Sequence, residues 1–277
     1  MSGRVVGEGS DPSLRLVWRW TAVVVVMAVI TTAGFVAWDR WWRRAGPANP
    51  GVTCPAVVQA GHRLPFTAIG VHRVALIGDS IMEQASCAIA ASLRDVGIET
   101  FRHAVIGSGL LTGMDWLAVT RQILQTERPD VVVAIFVGNY YPPPLRGANG
   151  KPIEGDTPAF YRAWQHRARL LSDEVHAAHA RMYWVSPPPI TISPLDTAAR
   201  LFDGYRTIHG DHFLFSGRVL AGPHGSEVIA KQTCGRRREI RVSDGVHLTY
   251  DGGRIYGQQI AHDLTADLGI LTTPQPC

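Results

Sequence analysis

The chain has 277 residues, of which 46% are hydrophobic and 18% are charged, and this composition excludes a chain that is mostly disordered. The formal net charge is +4 and the arginines are spread along the sequence, so nothing favours nucleic-acid binding. The one local cluster, residues 236–238, consists of three consecutive arginines and is typical of a solvated loop. The length accommodates one compact catalytic domain of about 200 residues.

The first segment with a clear signature is residues 20–38, which contain no charged residue and have tryptophans at both ends. At about 1.5 Å per residue, a helix of this length spans the roughly 30 Å hydrocarbon core of a bilayer. A cleaved signal peptide is the alternative, but no small-x-small cleavage site precedes residues 40–44. We therefore predict a transmembrane anchor over 20–38, preceded by a cytoplasmic tail (1–19) and followed by a linker and N-terminal extension (39–70).

The cysteines bear on the location of the chain, because the charges that flank the span do not decide it. Three arginines precede the span and three follow it closely, so the positive-inside rule gives a tie. All four cysteines follow the span, and an even number is typical of disulfides in an oxidising compartment. Among the possible pairings we favour Cys54–Cys87 and Cys234–Cys277. We expect a single-pass protein of the cytoplasmic membrane with an extracytoplasmic domain at 71–277; unpaired thiols in a cytoplasmic domain are the alternative.

From residue 71 onwards, apolar runs alternate with stretches of helical periodicity. The apolar runs predict strands at residues 74–77, 100–106, 130–137 and 182–185. The intervening stretches predict helices at residues 85–96, 116–125, 160–180 and 251–268. This alternation predicts a parallel sheet between two layers of helices, interrupted by loop-rich insertions at about 140–158 and 190–237. In such sheets the reactive groups lie beyond the carboxyl ends of the strands.

Polar residues suited to nucleophilic catalysis occur at these strand ends and immediately before the last predicted helix. Ser80 follows the first strand, where a turn with a helix N-cap is the ordinary interpretation. A hydroxyl becomes a good nucleophile when a base takes its proton. Asp244 precedes His247 by three residues, a spacing at which the carboxylate can orient the imidazole as that base. Asn139 follows the most apolar strand and carries an amide that can donate to an oxyanion.

Four blocks, in order along the chain, resemble those of the SGNH (GDSL-like) hydrolase family. They are Gly-Asp-Ser at 78–80, Gly109 after the second strand, Asn139 after the third strand, and Asp-x-x-His at 244–247. The resemblance covers residues 71–268. It implies a flavodoxin-like three-layer α/β/α fold, in agreement with the alternation of strands and helices.

The resemblance also implies a role for each block residue. It implies Ser80 as the nucleophile, Asp244 and His247 as the rest of the triad, and an oxyanion hole formed by Ser80, Gly109 and Asn139. The sequence departs from the family pattern in two places. Ile81 replaces the leucine of the GDSL signature, and the second block lacks the upstream asparagine that is often present, so Gly107 is an alternative to Gly109.

A serine esterase that requires no cofactor and no metal is the activity that the resemblance implies. Because we expect the domain outside a membrane, we predict removal of O-acyl groups, mainly acetyl, from cell-envelope glycans or lipid-linked sugars. One alternative is O-acyl transfer through the same acyl-enzyme, with a multi-spanning membrane acyltransferase as partner and donor. The others are a lipase or lysophospholipase, with an acyl pocket in the 190–237 insertion, and an inactive binding module.

Two weaker patterns point to other ligands. The glycines at 107–113 loosely resemble a dinucleotide-binding loop, but their last spacing is one residue too long. Two pairs of histidines suggest a metal, namely His176 with His179 and His209 with His212. Surface histidines without a third ligand are the commoner case, so neither pattern outweighs the hydrolase hypothesis.

Overall fold

The computed structural model describes Cys54 and residues 70–270. The predicted anchor at 20–38 and tail at 1–19 lie outside the described residues, as does most of the predicted linker. Within the described part of the chain, no helix combines the length and the apolar character needed to cross a membrane. The described residues include most of the predicted catalytic domain.

A parallel sheet of five strands forms the centre of the fold. Its strands are β1 (Arg73–Gly78), β2 (Glu99–Ala104), β3 (Val131–Ile135), β4 (Arg181–Val185) and β5 (His212–Leu214). Their spatial order, β2-β1-β3-β4-β5, is the flavodoxin-like order. The prediction of a flavodoxin-like parallel sheet is therefore confirmed.

The sheet is covered on both faces by α-helices. These are α1 (Ser80–Asp95), α2 (Trp116–Thr126), α3 (Pro158–Ala177), α4 (Ala198–Tyr205) and α5 (Tyr250–Asp267). On one face α1 packs against α5, while α2, α3 and α4 pack together in a second layer. Every residue of β3 is buried, as expected for a central parallel strand. The sheet edge at the carboxyl ends of the strands is therefore held on a rigid three-layer support.

Side chains of the central strands alternate between the two helical layers. Leu76 of β1 and Val133 of β3 belong to one apolar cluster with residues of α1 and α5, such as Ile89. On β4, Trp184 is fully buried and stacks on Tyr205 of α4 with 4.0 Å between the ring centroids. The apolar cluster thus holds β1 and β3, the two strands that lead into the candidate site, against α1 and α5.

The predicted loop-rich insertion at 190–237 contains regular structure that the sequence analysis missed. It holds helix α4, the edge strand β5 and the first strand of a hairpin. Strand β5 is only three residues long, which is too short for a pattern of apolar periodicity to be recognised. Its position beside β4 extends the sheet by one strand beyond the four predicted.

The arginine cluster at 236–238 is not a solvated loop, which corrects the sequence-based interpretation. It lies in β7 (Arg236–Glu239), which pairs antiparallel with β6 (Ala230–Thr233). The connecting residues Cys234 and Gly235 both have positive φ, as a tight two-residue hairpin turn requires. Charged residues are common on exposed edge strands because they prevent edge-to-edge pairing. A run of charged residues lacks the apolar alternation by which a strand is recognised in a sequence.

A disulfide joins Cys54 to Cys87 of α1, as predicted. The sulfur of Cys54 also accepts a hydrogen bond from Nη1 of Arg102 at 2.9 Å. Cys234 is disulfide-bonded as well, and its predicted partner, Cys277, lies outside the described residues. The first disulfide connects the segment before the sheet to the helix that begins at Ser80.

Candidate active site

The junction between β1 and α1 presents Ser80 at the edge of the sheet. Gly78 ends β1 with φ 150°, and a Cβ at this position would lie 2.1 Å from the carbonyl oxygen of Ile135. Only glycine therefore allows the backbones of β1 and β3 to approach so closely at this point. Asp79 is the N-cap of α1 and accepts a hydrogen bond from the backbone N–H of Ile81 at 3.0 Å. Ser80 is thereby fixed as the first residue of the helix.

Three of the predicted site residues lie in hydrogen-bond contact, although 167 residues separate the first from the last. Nε2 of His247 is 3.0 Å from the hydroxyl oxygen of Ser80, and Nδ1 is 2.6 Å from a carboxylate oxygen of Asp244. The other oxygen of Asp244 accepts from the backbone N–H groups of Val246 and His247, both at 2.9 Å. This chain of contacts has the geometry of a nucleophile, a base and a group that orients the base.

The electrostatics of Asp244 suit the last of these roles. Partial desolvation raises the pKa of its carboxyl group, but the hydrogen bonds from His247 and the two backbone N–H groups outweigh this effect. The net result is a pKa below the ordinary value, so the carboxyl group is ionised at neutral pH. An ionised carboxylate at Nδ1 holds the proton on that nitrogen and leaves Nε2 free to accept one from Ser80.

Asp79 connects the nucleophile to the strand on the other side of the site, a link that the sequence analysis did not identify. Its fully buried carboxylate accepts from the backbone N–H of Val137 at 2.7 Å and lies 3.4 Å from the amide nitrogen of Asn139. Burial raises the pKa of Asp79 to about 7, although the N–H groups of Val137 and Ile81 partly oppose the shift. The signal in the sequence was the Gly-Asp-Ser motif itself, in which the aspartate was interpreted only as part of a turn.

The three predicted oxyanion donors differ in their hydrogen bonding. The backbone N–H of Ser80 has no acceptor among the described residues. The side-chain amide of Asn139 donates to the carbonyl oxygen of Ser108 at 3.1 Å. The N–H of Gly109 donates to the carbonyl oxygen of Thr112 at 3.1 Å. An incoming oxyanion would therefore compete with internal acceptors for two of its three donors.

Gly109 is also fixed by close packing. A Cβ on this residue would lie 1.8 Å from the carbonyl oxygen of Asn139, so no larger residue fits without moving one of the two loops. Gly107, the alternative donor, is exposed, has φ 74° and has no atom within 4 Å of a Cβ placed on it. The structure thus places Gly109, and not Gly107, against the loop that carries Asn139.

The apolar residues of the 190–237 insertion, which the lipase alternative assigns to an acyl pocket, are mostly used in packing. Leu201 and Phe202 are buried, and the Phe202 ring contacts Phe213 and Phe215 edge-on. Two apolar side chains of the insertion lie near the site, namely Leu201 against Gly138, the residue before Asn139, and Ile192 against Gly245, which lies between Asp244 and His247. The insertion therefore supplies two apolar side chains near the candidate site, while its phenylalanines pack on one another.

Two of the four histidines that suggested a metal pair with carboxylates. Nε2 of His176 is 3.0 Å from Asp211, and Nδ1 of His212 is 3.1 Å from Asp267. Within residues 70–270 and Cys54, no group of three or more His, Cys, Asp or Glu side chains could hold a metal ion. These two histidines are accounted for by pairwise contacts away from Ser80.

Comparison with known proteins agrees with this architecture. A family model described as "Protein of unknown function (DUF459)" matches residues 73–263, which is more than half of the chain. The chain belongs to the DUF459 family. The match begins in β1 and ends within α5, so it contains all the residues brought together at the candidate site. No curated protein matches the sequence.

Solved structures with a similar fold include two hydrolases. LAE5, an α/β hydrolase enzyme from the metagenome of Lake Arreo in Spain, is 15% identical with a TM-score of 0.51, over 75% of this chain and 99% of that one. A catalytic mutant of Axe2, an acetylxylan esterase from Geobacillus stearothermophilus, is also 15% identical, with a TM-score of 0.50, over 72% and 95% of the two chains. At such identity the likeness shows the fold alone. The DUF459 chain has the fold of SGNH/GDSL hydrolases, as its sequence blocks implied.

Proposed function

We propose that this DUF459 protein is a serine esterase that removes O-acyl groups, mainly acetyl, from cell-envelope glycans or lipid-linked sugars. The observation that carries the proposal is the continuous contact from Ser80 through His247 to Asp244, at 3.0 and 2.6 Å. Serine, imidazole and carboxylate in this order form a device for acyl transfer that recurs on unrelated folds. Here the three groups converge at the edge of the sheet where such sheets carry their reactive groups.

In the proposed reaction, Ser80 Oγ attacks the carbonyl carbon of the ester while Nε2 of His247 takes the hydroxyl proton. The resulting oxyanion is held by the Ser80 N–H, the Asn139 amide and the Gly109 N–H, once the latter two exchange their internal acceptors for it. Collapse of the tetrahedral intermediate breaks the ester C–O bond, and His247 gives its proton to the departing sugar hydroxyl. Water then attacks the acyl-Ser80 ester with His247 again as base, which releases the carboxylic acid and restores the hydroxyl of Ser80.

The proposed substrate class rests on the surroundings of the triad. Exposed apolar side chains occupy the loops at this edge of the sheet and the start of α5, namely Ile106, Tyr141, Ile192, Val242 and Tyr250. They follow β2, β3 and β4 or flank the segment from Asp244 to His247. Aromatic rings with one polar end suit contact with sugar rings or lipid-linked sugars at an interface. The acetylxylan esterase with the same fold shows that such a frame accommodates acetylated sugars in another protein.

The location and partners are part of the proposal. We infer that residues 20–38 anchor the chain in the cytoplasmic membrane and that the domain faces an oxidising compartment. The disulfide between Cys54 and Cys87 supports such a compartment, since stable disulfides are rare in the cytosol. A partner membrane acyltransferase is needed only if the acyl group is transferred to a hydroxyl acceptor rather than to water. Fusion of a reporter active only outside the cytoplasm to the C-terminus tests the orientation.

The test of the proposed activity uses the full chain, purified in a detergent without ester bonds. Hydrolysis of acetyl, butyryl and octanoyl nitrophenyl esters is compared between the wild type, Ser80→Ala and the control Ser226→Ala. Ser226 is exposed and donates only to a neighbouring carbonyl, so its variant keeps full turnover. Turnover that is fastest with acetyl and disappears in Ser80→Ala supports the proposal. Turnover that persists in Ser80→Ala contradicts it.

Three other outcomes separate the alternatives that the sequence leaves open. Products that form only when a sugar hydroxyl is added indicate acyl transfer through the same acyl-enzyme. A preference for octanoyl esters over acetyl esters indicates a lipase. Folded wild-type protein that neither turns over any ester nor reacts with an acylating probe indicates a binding module.

A further inference from the structure

Arg241 is an arginine in the core of the domain, with 1% of its surface exposed. It lies between β7 and the segment from Asp244 to His247, which we call the triad loop. An ionised guanidinium is costly to bury unless its N–H groups are hydrogen-bonded. Burial lowers the pKa of Arg241, while the nearby negative charges of Glu227 and Asp244 act in the opposite direction.

The guanidinium of Arg241 donates to the carbonyl oxygens of both residues that separate Asp244 from His247. Nη1 is 3.2 Å from the oxygen of Gly245 and 3.0 Å from that of Val246. These two peptides form the turn that sets the distance and direction from the carboxylate to the imidazole. Gly245 has φ 73°, so the turn uses a backbone conformation that glycine favours.

The second terminal nitrogen of Arg241 contacts a different part of the chain. Nη2 donates to the carbonyl oxygen of Pro189, in the segment that follows β4. One planar group therefore connects the triad loop to a segment held by the central sheet. Two backbone bonds also cross the base of the loop, from the N–H of Val242 to the carbonyl oxygen of His247 at 3.0 Å and from the N–H of Thr249 to that of Ile240 at 3.2 Å.

We propose that Arg241 is a positioning residue that fixes the triad loop so that His247 lies between Ser80 and Asp244. The inference rests on the proposed function for its consequence in catalysis, although the geometry it predicts is measurable without any substrate. Asp244 and His247 are partly exposed, with 47% and 39% of their side-chain surfaces accessible. Contacts of their own side chains therefore confine them only in part. The buried guanidinium beneath the loop adds a constraint to that of the buried Val246 side chain.

The fork of the guanidinium is what suits arginine to this position. Its two terminal nitrogens donate in divergent directions within one plane, toward Pro189 on one side and toward Gly245 and Val246 on the other. A lysine ammonium is a single point from which both groups of acceptors cannot be reached in the same way. Arg241→Lys therefore keeps the positive charge but loses the hydrogen-bonded connection between Pro189 and the triad loop. Arg241→Met keeps the apolar part of the side chain and loses both the charge and that connection.

The experiment compares Arg241→Lys and Arg241→Met with the control Lys231→Met, in the full chain. Lys231 is also a cation that donates to two carbonyl oxygens, those of Val219 and Ala221, but it does not contact the triad loop. The first measurement is the downfield proton resonance of the His247 Nδ1–H, which requires the short hydrogen bond to Asp244. The second is kcat and KM for acetyl ester hydrolysis, and thermal unfolding reports whether each variant is folded.

We expect both Arg241 variants, at a temperature where they are folded, to lose or broaden the downfield resonance. We expect kcat to fall by about 10- to 100-fold with little change in KM, since displacement of a reacting group by about 1 Å costs on this order. Lys231→Met should keep the resonance and kcat even if its melting temperature falls. A folded Arg241→Met variant with the wild-type resonance and kcat would overturn the proposal. If the wild type shows the resonance but hydrolyses no ester, the proposed function fails while the positioning role is still tested by the resonance.

Discussion

The carboxylate of Asp79 accepts a hydrogen bond from the backbone N–H of Val137, 2.7 Å away, and so joins the residue before the candidate nucleophile to the loop that carries Asn139. Nucleophile and oxyanion donor come from different strands, β1 and β3, and this bond fixes their relative position. A third element, the turn before α5, brings His247 to the same point. The candidate site is therefore assembled by contacts between loops on the rigid sheet edge.

The buried carboxyl group of Asp79 should make stability depend on pH. Its pKa is raised from 3.8 to about 7 in the folded chain, so the folded state binds the proton more tightly than the unfolded state does. The stabilisation from this proton is complete below the unfolded pKa and is lost as the pH rises through about 7. We predict that the melting temperature of the wild type, relative to that of Asp79→Asn, is higher at pH 5 than at pH 8.

Asp115 provides the control for this prediction. It is also a helix N-cap, at the start of α2, but its side chain is 63% exposed. Asp115→Asn should keep the wild-type difference in melting temperature between pH 5 and pH 8. If Asp79→Asn keeps that difference as well, the carboxyl group of Asp79 does not titrate in this range.

Asp244→Asn should reduce kcat for ester hydrolysis by about 10³- to 10⁴-fold, since an amide facing Nδ1 favours the wrong tautomer of His247. Little stability should be lost, because the side chain is partly exposed and the backbone N–H groups of Val246 and His247 keep an oxygen acceptor. The measurement is kcat at saturating acetyl ester, with Asp203→Asn as an exposed control. Equal activities in the two variants would remove Asp244 from the triad.

Asn139 and Gly109 should respond differently to substitution by alanine. Loss of the Asn139 amide removes one oxyanion donor and costs about 3 kcal/mol of transition-state stabilisation, or roughly 100-fold in kcat. A methyl group on Gly109 would collide with the carbonyl oxygen of Asn139, so Gly109→Ala should lower both the melting temperature and the activity. Gly155→Ala, whose added Cβ would meet no atom within 4 Å, should change neither.

Much of the architecture follows from local signals in the sequence. The apolar runs that became β1, β3 and β4 are recognisable because both faces of these strands are buried, and the helices between them show regular periodicity. The Ser80, Gly109 and Asn139 blocks could be assigned to one sheet edge because parallel strands present their carboxyl ends together. The contact between Ser80 and His247 at 3.0 Å required the fold itself.

Other features carried no local signal. Strand β5 is three residues long and is held mainly by pairing with β4. Strand β7 begins with three charged residues, which match no strand pattern. Arg241 closely follows these exposed arginines in the sequence, and only the fold shows that it is buried. The internal hydrogen bond from Gly109 to Thr112 is likewise a property of loop conformation, which residue types do not determine.

Removal of the disulfide that precedes the sheet should weaken the domain. Cys54 and Cys87 are 33 residues apart, and closing a loop of this length stabilises the folded state by about 2–4 kcal/mol. The double variant Cys54→Ala/Cys87→Ala should lower the free energy of unfolding by this amount in a denaturant titration. Reduction of this bond in the wild type should lower the free energy of unfolding by a similar amount. The double variant lacks the bond and should not show this loss when a reductant is added. An unchanged unfolding midpoint in the double variant would contradict this prediction.

The most direct test of the account is mass spectrometry of the full chain after treatment with a fluorophosphonate, which modifies only activated serines. We predict one adduct, on the peptide that contains Ser80, in the wild type and in Ser226→Ala. We predict no adduct in Ser80→Ala and slow labelling in Asp244→Asn. A folded wild-type protein without an adduct, or an adduct that persists in Ser80→Ala, would contradict the assignment of Ser80 as the nucleophile.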